Sequence, residues 1–151
     1  MKLKNLTVLF LLVFSLIGCS SKMESGSLIH DEQTGPKGPV AGERAIEIAY
    51  TEKELEHLWS DFNFDENRPD IDFDESAILI AHTMENSCPK EIDRFELSED
   101  GFKLSIETVP DGDGCDDIGF LKSFVFTIEK SKLKKVETVY FEGEPFDLNF
   151  N

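Results

Sequence analysis

Basic side chains are scarce in this sequence of 151 residues. It has 15 Lys and Arg against 31 Asp and Glu, which gives a formal net charge of −16. A nucleic-acid partner is excluded, because such binding needs cations that neutralise phosphates. The same excess of negative charge argues against electrostatic attraction of the protein to anionic lipid. Disorder is also excluded for most of the chain, since thirteen Phe among 40% hydrophobic residues can form a core.

Catalytic side chains and motifs are equally sparse. The three histidines are His30, His57 and His82, and none is spaced with a cysteine, a serine or a second histidine in a known catalytic pattern. There is no G-x-S-x-G turn, no phosphate-binding loop and no glycine-rich dinucleotide turn. We therefore predict that the protein is not an enzyme. A hydrolase that uses His82 as its base is the third hypothesis, and burial of His82 would count against it.

No apolar run is long enough to cross a bilayer as a helix. The longest, from Leu6 to Ile17, has twelve residues and follows the basic start Met1–Lys4, which is typical of a signal peptide. It ends in Leu16-Ile17-Gly18-Cys19, which resembles the lipobox of bacterial lipoproteins. The resemblance implies that residues 1–18 are removed and that Cys19 carries a diacylglyceryl anchor. The protein would then lie on the extracytoplasmic face of the cell membrane, or in the outer membrane if the organism has one.

Two cysteines remain once Cys19 is assigned to lipid. Cys88 and Cys115 form an even pair in an oxidising compartment, so a disulfide is expected. A two-thiolate metal site or a redox pair is the alternative. Both are disfavoured, because there is no C-x-x-C spacing and no histidine lies near either cysteine in a zinc-ligand pattern.

The composition predicts a tether followed by one domain. Residues 19–44 are rich in Gly, Ser, Pro and charge, and Leu28-Ile29 is their only apolar pair, which predicts a lipidated cysteine and a flexible tether. Residues 45–151 are predicted to form a single, disulfide-stapled, β-rich domain.

Hydrophobic periodicity predicts a sheet-dominated α+β domain with about six mostly antiparallel strands, one N-terminal helix and a small barrel-like or sandwich-like form. Thr51 and Glu54 form a capping-box pattern at the start of the helix. The predicted strands are 45–50, 77–81, the hairpin 92–97 with 102–109, and a further pair formed by 120–128 with 136–141. Residues 77–81 are apolar on both faces, which predicts a central strand that is covered on each side.

An acidic segment is the candidate cation site. Asp111-Gly112-Asp113-Gly114 begins like a calcium loop, but Cys115 and Lys122 occupy the fifth and twelfth positions, where an EF-hand needs oxygen ligands. A looser calcium site using Asp111, Asp113, Asp116 and Asp117 remains open. The plain alternative is a solvated loop held by the disulfide.

The layout of residues 45–141 resembles the PrcB-type domain. The resemblance is carried by the order of the elements and by Leu58-Trp59, by Asp72-Phe73-Asp74-Glu75-Ser76 and by Val136-Glu137-Thr138-Val139. That family occurs in secreted bacterial lipoproteins and is associated with modulation of protease complexes. Its Thr-Gly-Gly-Tyr stretch is replaced here by Asn86-Ser87-Cys88-Pro89, so no functional residue carries over.

These observations favour a lipid-anchored, extracytoplasmic binding module with a non-catalytic role. The membrane is contacted through the diacylglyceryl group, and the further partner is a protein or another envelope component. The loops around Cys88 and Cys115 are the predicted binding surfaces. A calcium-binding lipoprotein is the alternative, and no other cofactor is implied.

Overall fold

Two four-stranded sheets pack face to face in the computed structural model, which describes residues 26–38, 42–65 and 67–148. The described residues form eight strands and two helices. In chain order these are β1 (Gly26–Glu32), β2 (Ala45–Ala49), α1 (Glu52–Asp61), β3 (Ser76–Glu85), β4 (Lys90–Leu97), β5 (Lys103–Pro110), β6 (Phe120–Glu129), α2 (Lys130–Leu133), β7 (Thr138–Phe141) and β8 (Glu144–Asp147). The prediction of a sheet-dominated, sandwich-like α+β fold is confirmed.

The first sheet has the strand order β1-β6-β3-β2, and all its pairs are antiparallel. β3 and β6 pair along their full length, from Ser76 opposite Glu129 to Glu85 opposite Phe120. β3 is buried on both faces over Ala77–Ala81, which confirms the central strand predicted there. The second sheet has the order β4-β5-β7-β8, in which β5 and β7 are parallel.

The main core lies between the two sheets, where Leu79 and Phe126 of the first sheet share a buried cluster with Phe95 of the second. A second apolar cluster covers the opposite face of the first sheet. There Leu55 and Trp59 of α1 pack against that face of β3. The molecule thus has three layers, which explains why β3 has no polar face.

The capping box at the start of α1 is confirmed. The Thr51 side chain accepts from the Glu54 amide at 3.2 Å, and the Glu54 carboxylate accepts from the Thr51 amide at 3.0 Å. These bonds satisfy amides that the helix itself cannot pair, so they fix where α1 begins.

The predicted tether is wrong for Gly26–Glu32, which form β1 at the edge of the first sheet. Leu28 packs on the core while Ser27, Ile29 and Asp31 are exposed, so the strand has little apolar content. Its pairing with β6 has an irregularity between Leu28 and His30. The predicted signal peptide and Cys19 lie outside the described residues.

The predicted pairing of residues 120–128 with 136–141 is also wrong. β6 belongs to the first sheet and β7 to the second, and the short helix α2 connects them. β7 pairs instead with β5 and β8. Nothing local to residues 130–137 indicates a crossing between sheets, so the sequence pattern alone predicts a hairpin.

The ten-residue strands β3 and β6 separate two ends of the molecule by about 30 Å. The Gly26 end contains the start of β1, the end of β6 and α2, since Gly26 lies opposite Ile128. The disulfide end contains Glu85, Phe120 and the start of β4. Within the described residues no helix is long and apolar enough to span a membrane.

Candidate functional site

The disulfide predicted from the cysteine count is present at the disulfide end. Cys88 and Cys115 are bonded, with their Cα atoms 5.4 Å apart. The bond joins the connection between β3 and β4 to the acidic loop, residues 111–119, which connects β5 to β6. Two connections that each cross from one sheet to the other are therefore covalently linked.

Backbone hydrogen bonds hold the acidic loop against the β3–β4 connection as well. The Ser87 amide donates to the Asp116 carbonyl at 3.2 Å, and the Asp116 amide donates to the Ser87 hydroxyl at 2.6 Å. The Asp111 amide donates to the Pro89 carbonyl at 2.7 Å. Gly112 has a φ of 120°, which glycine adopts more readily than residues with a Cβ. The loop is thus fixed at both of its ends.

Exposed apolar side chains flank the acidic loop. Val109 lies just before the loop and has 43% of its surface exposed. Ile118 lies near the end of the loop and is 56% exposed, and Phe120, the first residue of β6, is 39% exposed. Because these exposed apolar side chains lie at the two ends of one loop, this end of the molecule is a candidate interaction surface. The loop between them carries four exposed aspartates, Asp111, Asp113, Asp116 and Asp117.

The four aspartates predicted as calcium ligands lie on this loop. Among the described residues, no group of three or more His, Cys, Asp or Glu side chains is placed to hold a metal ion. Nothing in the geometry therefore supports the calcium hypothesis, which stays a prediction.

A partly buried carboxylate lies beneath this end, at the turn between β7 and β8. Glu142 accepts hydrogen bonds from Arg44 Nε at 2.6 Å and Thr83 Oγ1 at 2.8 Å. It also accepts from Lys90 Nζ and Thr108 Oγ1, each at 2.5 Å. The donors come from β3, β4, β5 and the segment before β2. The carboxylate therefore connects both sheets.

The charge of Glu142 is stabilised by these donors. Burial alone would raise the pKa of the carboxyl group, but the hydrogen bonds from Arg44, Lys90, Thr108 and Thr83 more than offset burial and lower the pKa to about 2. The pKa of Arg44 is raised, and the largest cause is its hydrogen bond to Glu142. Glu142 itself has a φ of 50°, an unfavourable backbone conformation for a residue with a Cβ.

Glu85 forms a second buried polar contact at the disulfide end. Its carboxylate accepts from the Lys90 amide at 2.8 Å and from Gln33 Nε2 at 2.7 Å. These bonds fix the start of β4, immediately after Cys88 and Pro89, relative to β3. The positions of the disulfide and of the acidic loop are thereby set by the polar network below them.

His82 is fully buried, whereas a histidine in an open catalytic site is accessible to a substrate. Its Nδ1 lies 2.9 Å from the Ser123 hydroxyl, which donates to the Thr34 carbonyl at 2.8 Å. Because Ser123 gives its proton to a carbonyl, it is not arranged as a nucleophile activated by His82. The pair instead holds residues 34–35 against the first sheet, and the hydrolase hypothesis stays a prediction.

The other two histidines take part in local contacts. His57 pairs with Asp61 at 2.8 Å on the exposed side of α1, and His30 pairs with Glu32 at 3.0 Å. The His30 ring also lies 5.3 Å from the Trp59 ring. None of these contacts involves the acidic loop.

The chain matches no protein-family profile, no curated protein and no solved structure. The layout-level resemblance to the PrcB-type domain therefore stays a prediction.

Proposed function

We propose that this protein is a lipid-anchored, extracytoplasmic binding module with a non-catalytic role, whose partner is a protein or another component of the cell envelope. The anchor is supported by the sequence Leu16-Ile17-Gly18-Cys19, placed after a short apolar run. Two acyl chains on Cys19 would hold the protein stably on the membrane.

The observation that carries the binding role is the exposure of Ile118 and Phe120 beside a loop that is fixed in place. Burying such side chains against a partner would recover apolar surface that folding leaves in water. Because the disulfide and the backbone bonds already order the loop, association costs little conformational entropy there.

Position in the fold also supports this role. Gly26, where the described chain begins after the proposed anchor, lies at the opposite end from the acidic loop. An anchor on the N-terminal side would therefore turn the loop away from the membrane, toward partners in the envelope. The non-catalytic character is supported by the burial of His82 and by the donation of the Ser123 hydroxyl to the Thr34 carbonyl.

The anchor is tested by the mass of the mature protein under non-reducing conditions. We expect diacylglyceryl on Cys19 and loss of two hydrogens for the Cys88–Cys115 bond. A Cys19→Ala variant should remain unlipidated and leave the membrane fraction, and a lipidated Cys19→Ala variant would contradict the assignment.

The binding surface is tested by cross-linking at the cell surface with the double variant Ile118→Ser/Phe120→Ser. We expect it to lose a partner that the natural protein captures. The control is Ile29→Ser, since Ile29 is 37% exposed on β1 and outside the loop. If the double variant keeps every captured partner, the acidic loop is not the binding surface.

A further inference from the structure

The acidic loop carries negative charge that the protein itself does not neutralise. Residues 109–120, which contain the loop and the residues beside it, include four aspartates and no lysine or arginine. All four aspartates are exposed. Among the described residues, none of their carboxylates forms an ion pair or accepts a hydrogen bond. The charge of the loop is therefore available to a partner.

Three cations at the disulfide end are paired with carboxylates outside the loop. Lys90, the first residue of β4, donates to Glu142 at 2.5 Å, and Arg44 donates to the same carboxylate at 2.6 Å. Lys122 in β6 is buried and pairs with Asp31 of β1. These cations stabilise the fold beneath the loop, and each of them has its own countercharge there.

Exposed apolar side chains lie beside the aspartates. The Ile118 amide donates to the Asp116 carbonyl at 2.8 Å, which holds an exposed apolar residue next to an aspartate. Phe120 follows two residues later, and Val109 lies opposite the exposed Glu91 of β4. A surface that combines apolar and anionic side chains is complementary to one that combines apolar and cationic side chains.

The same charges disfavour other occupants of this surface. A symmetric pair of copies of this chain would bring identical patches together, so the aspartates of one copy would face those of the other. Juxtaposed like charges oppose association. Anionic lipid and nucleic acid are repelled for the same reason.

We propose that the acidic loop binds a cationic segment of another protein, whose lysines or arginines pair with the four aspartates and whose apolar side chains cover Ile118 and Phe120. This choice of partner rests on the binding role proposed above for the same loop. Apolar contact supplies affinity, whereas the aspartates speed association and select cationic partners over neutral or anionic ones. Because the disulfide fixes the loop, the charges are in place before the partner arrives.

A defined peptide tests the charge preference. The probe is fluorescein-labelled Lys-Leu-Lys-Leu-Lys, and its Kd is measured by fluorescence anisotropy. Replacing the four aspartates by asparagine should raise the Kd about tenfold at low salt, and about 0.5 M salt should remove most of this difference. The peptide Glu-Leu-Glu-Leu-Glu should not bind the natural protein. The loop variant is Asp111→Asn/Asp113→Asn/Asp116→Asn/Asp117→Asn.

A matched control removes four exposed carboxylates outside the loop, so it makes the same change in net charge. It should change the Kd of the lysine peptide by less than about twofold, because screening by salt confines the attraction to nearby charges. Both variants should remain folded, since none of the replaced carboxylates has a bonding partner among the described residues, and circular dichroism checks this. The control variant is Glu56→Gln/Asp70→Asn/Asp74→Asn/Glu99→Gln.

Cross-linking at the cell surface identifies the segment that the natural protein contacts. Mass spectrometry of the cross-linked peptide should show more lysine and arginine than aspartate and glutamate. The loop variant should capture about fivefold less of this partner than the control variant does.

The outcomes separate the two proposals. If Ile118→Ser/Phe120→Ser keeps every captured partner, the acidic loop is not the binding surface and both proposals fail. If that double variant loses the partner but the loop variant keeps it, the binding role stands and the cationic partner is overturned. A cross-linked segment without excess positive charge, or equal Kd values of the lysine peptide for the loop and control variants, also overturns the cationic partner alone.

Discussion

Thr83 in the first sheet and Glu142 in the second are joined by a hydrogen bond of 2.8 Å from the threonine hydroxyl to the carboxylate. The bond crosses the interface between the sheets at the polar disulfide end, where the apolar core stops. Three further donors meet the same carboxylate. Glu142 is therefore one point at which the two sheets are fixed together outside the hydrophobic core.

Replacing Glu142 by Gln should lower the free energy of unfolding by about 2–3 kcal/mol, because an amide cannot accept from all four donors and leaves the partly buried Lys90 without a countercharge. Urea unfolding measures this change. The matched control is Glu144→Gln, since Glu144 also pairs with Arg44 but is exposed, and its loss should cost less than about 0.5 kcal/mol. Equal effects of the two variants would contradict a special role for Glu142.

Acid should destabilise the protein through the same residue. The pKa of Glu142 is lowered in the fold to about 2 from an ordinary value near 4.5. The contribution of its charge to the free energy of unfolding is therefore complete above about pH 4.5 and is lost as the pH falls toward 2. We expect about 2 kcal/mol of acid-dependent stability in this window, allowing for solvent screening. Unfolding measured between pH 5 and pH 2 should show a smaller pH dependence in Glu142→Gln. An identical dependence in both proteins would be incompatible with the lowered pKa.

Removing the disulfide should lower stability without unfolding the sandwich. The bond closes a sequence separation of 27 residues, which the chain-entropy model relates to about 3–4 kcal/mol. The variant Cys88→Ser/Cys115→Ser should unfold at lower urea concentration and become sensitive to proteolysis within residues 111–119. Cleavage that began in the sheets instead would show that the bond supports the core and not the loop.

Gly35 should tolerate no larger side chain. A Cβ at this position would lie 2.3 Å from Cε1 of His82, whose ring is held by Ser123 and cannot easily move. We expect Gly35→Ala to cost about 1–3 kcal/mol. The control is Gly42→Ala, where a Cβ meets nothing within 4 Å, and thermal melting of the two variants should differ clearly. A neutral Gly35→Ala would mean that residues 34–35 are not packed on His82.

Truncation distinguishes a tether from a strand. A chain that starts at Gly26 should fold like the mature protein, whereas one that starts at Ala45 lacks β1 and exposes the edge of β6. It also loses the ion pair from Lys122 to Asp31 and the bond from Gln33 to Glu85. Circular dichroism and melting should show a large loss of stability. Equal melting temperatures would support the tether predicted for residues 19–44.

Elements with strong local signals could be predicted from the sequence. The capping box at Thr51 and the doubly apolar strand at Ala77–Ala81 follow from patterns within a few residues. β1 could not be predicted, because an edge strand with one core-facing leucine has the composition of a linker. The separation of β6 and β7 into different sheets depends on long-range packing, which residues 130–137 do not encode.

The candidate site was predictable in part. The disulfide can be predicted from the number of cysteines that remain once Cys19 is assigned to lipid. It also indicates that the loop around Cys115 is part of the candidate site. The Glu142 network was missed because Arg44 and Lys90 lie 98 and 52 positions away from Glu142. Its one local signal is Glu142-Gly143 after the apolar Val139-Tyr140-Phe141, which indicates a turn but not the donors.

The pairing of β1 with β6 has a consequence for the order of folding. Gly26 lies opposite Ile128, so the first strand finds its partner only after almost the whole chain has been made. Contacts with such long sequence separation close late and slowly. The first sheet cannot be completed until Ile128 has been made, and an incompletely folded chain is the state in which a protein can still be threaded across a membrane.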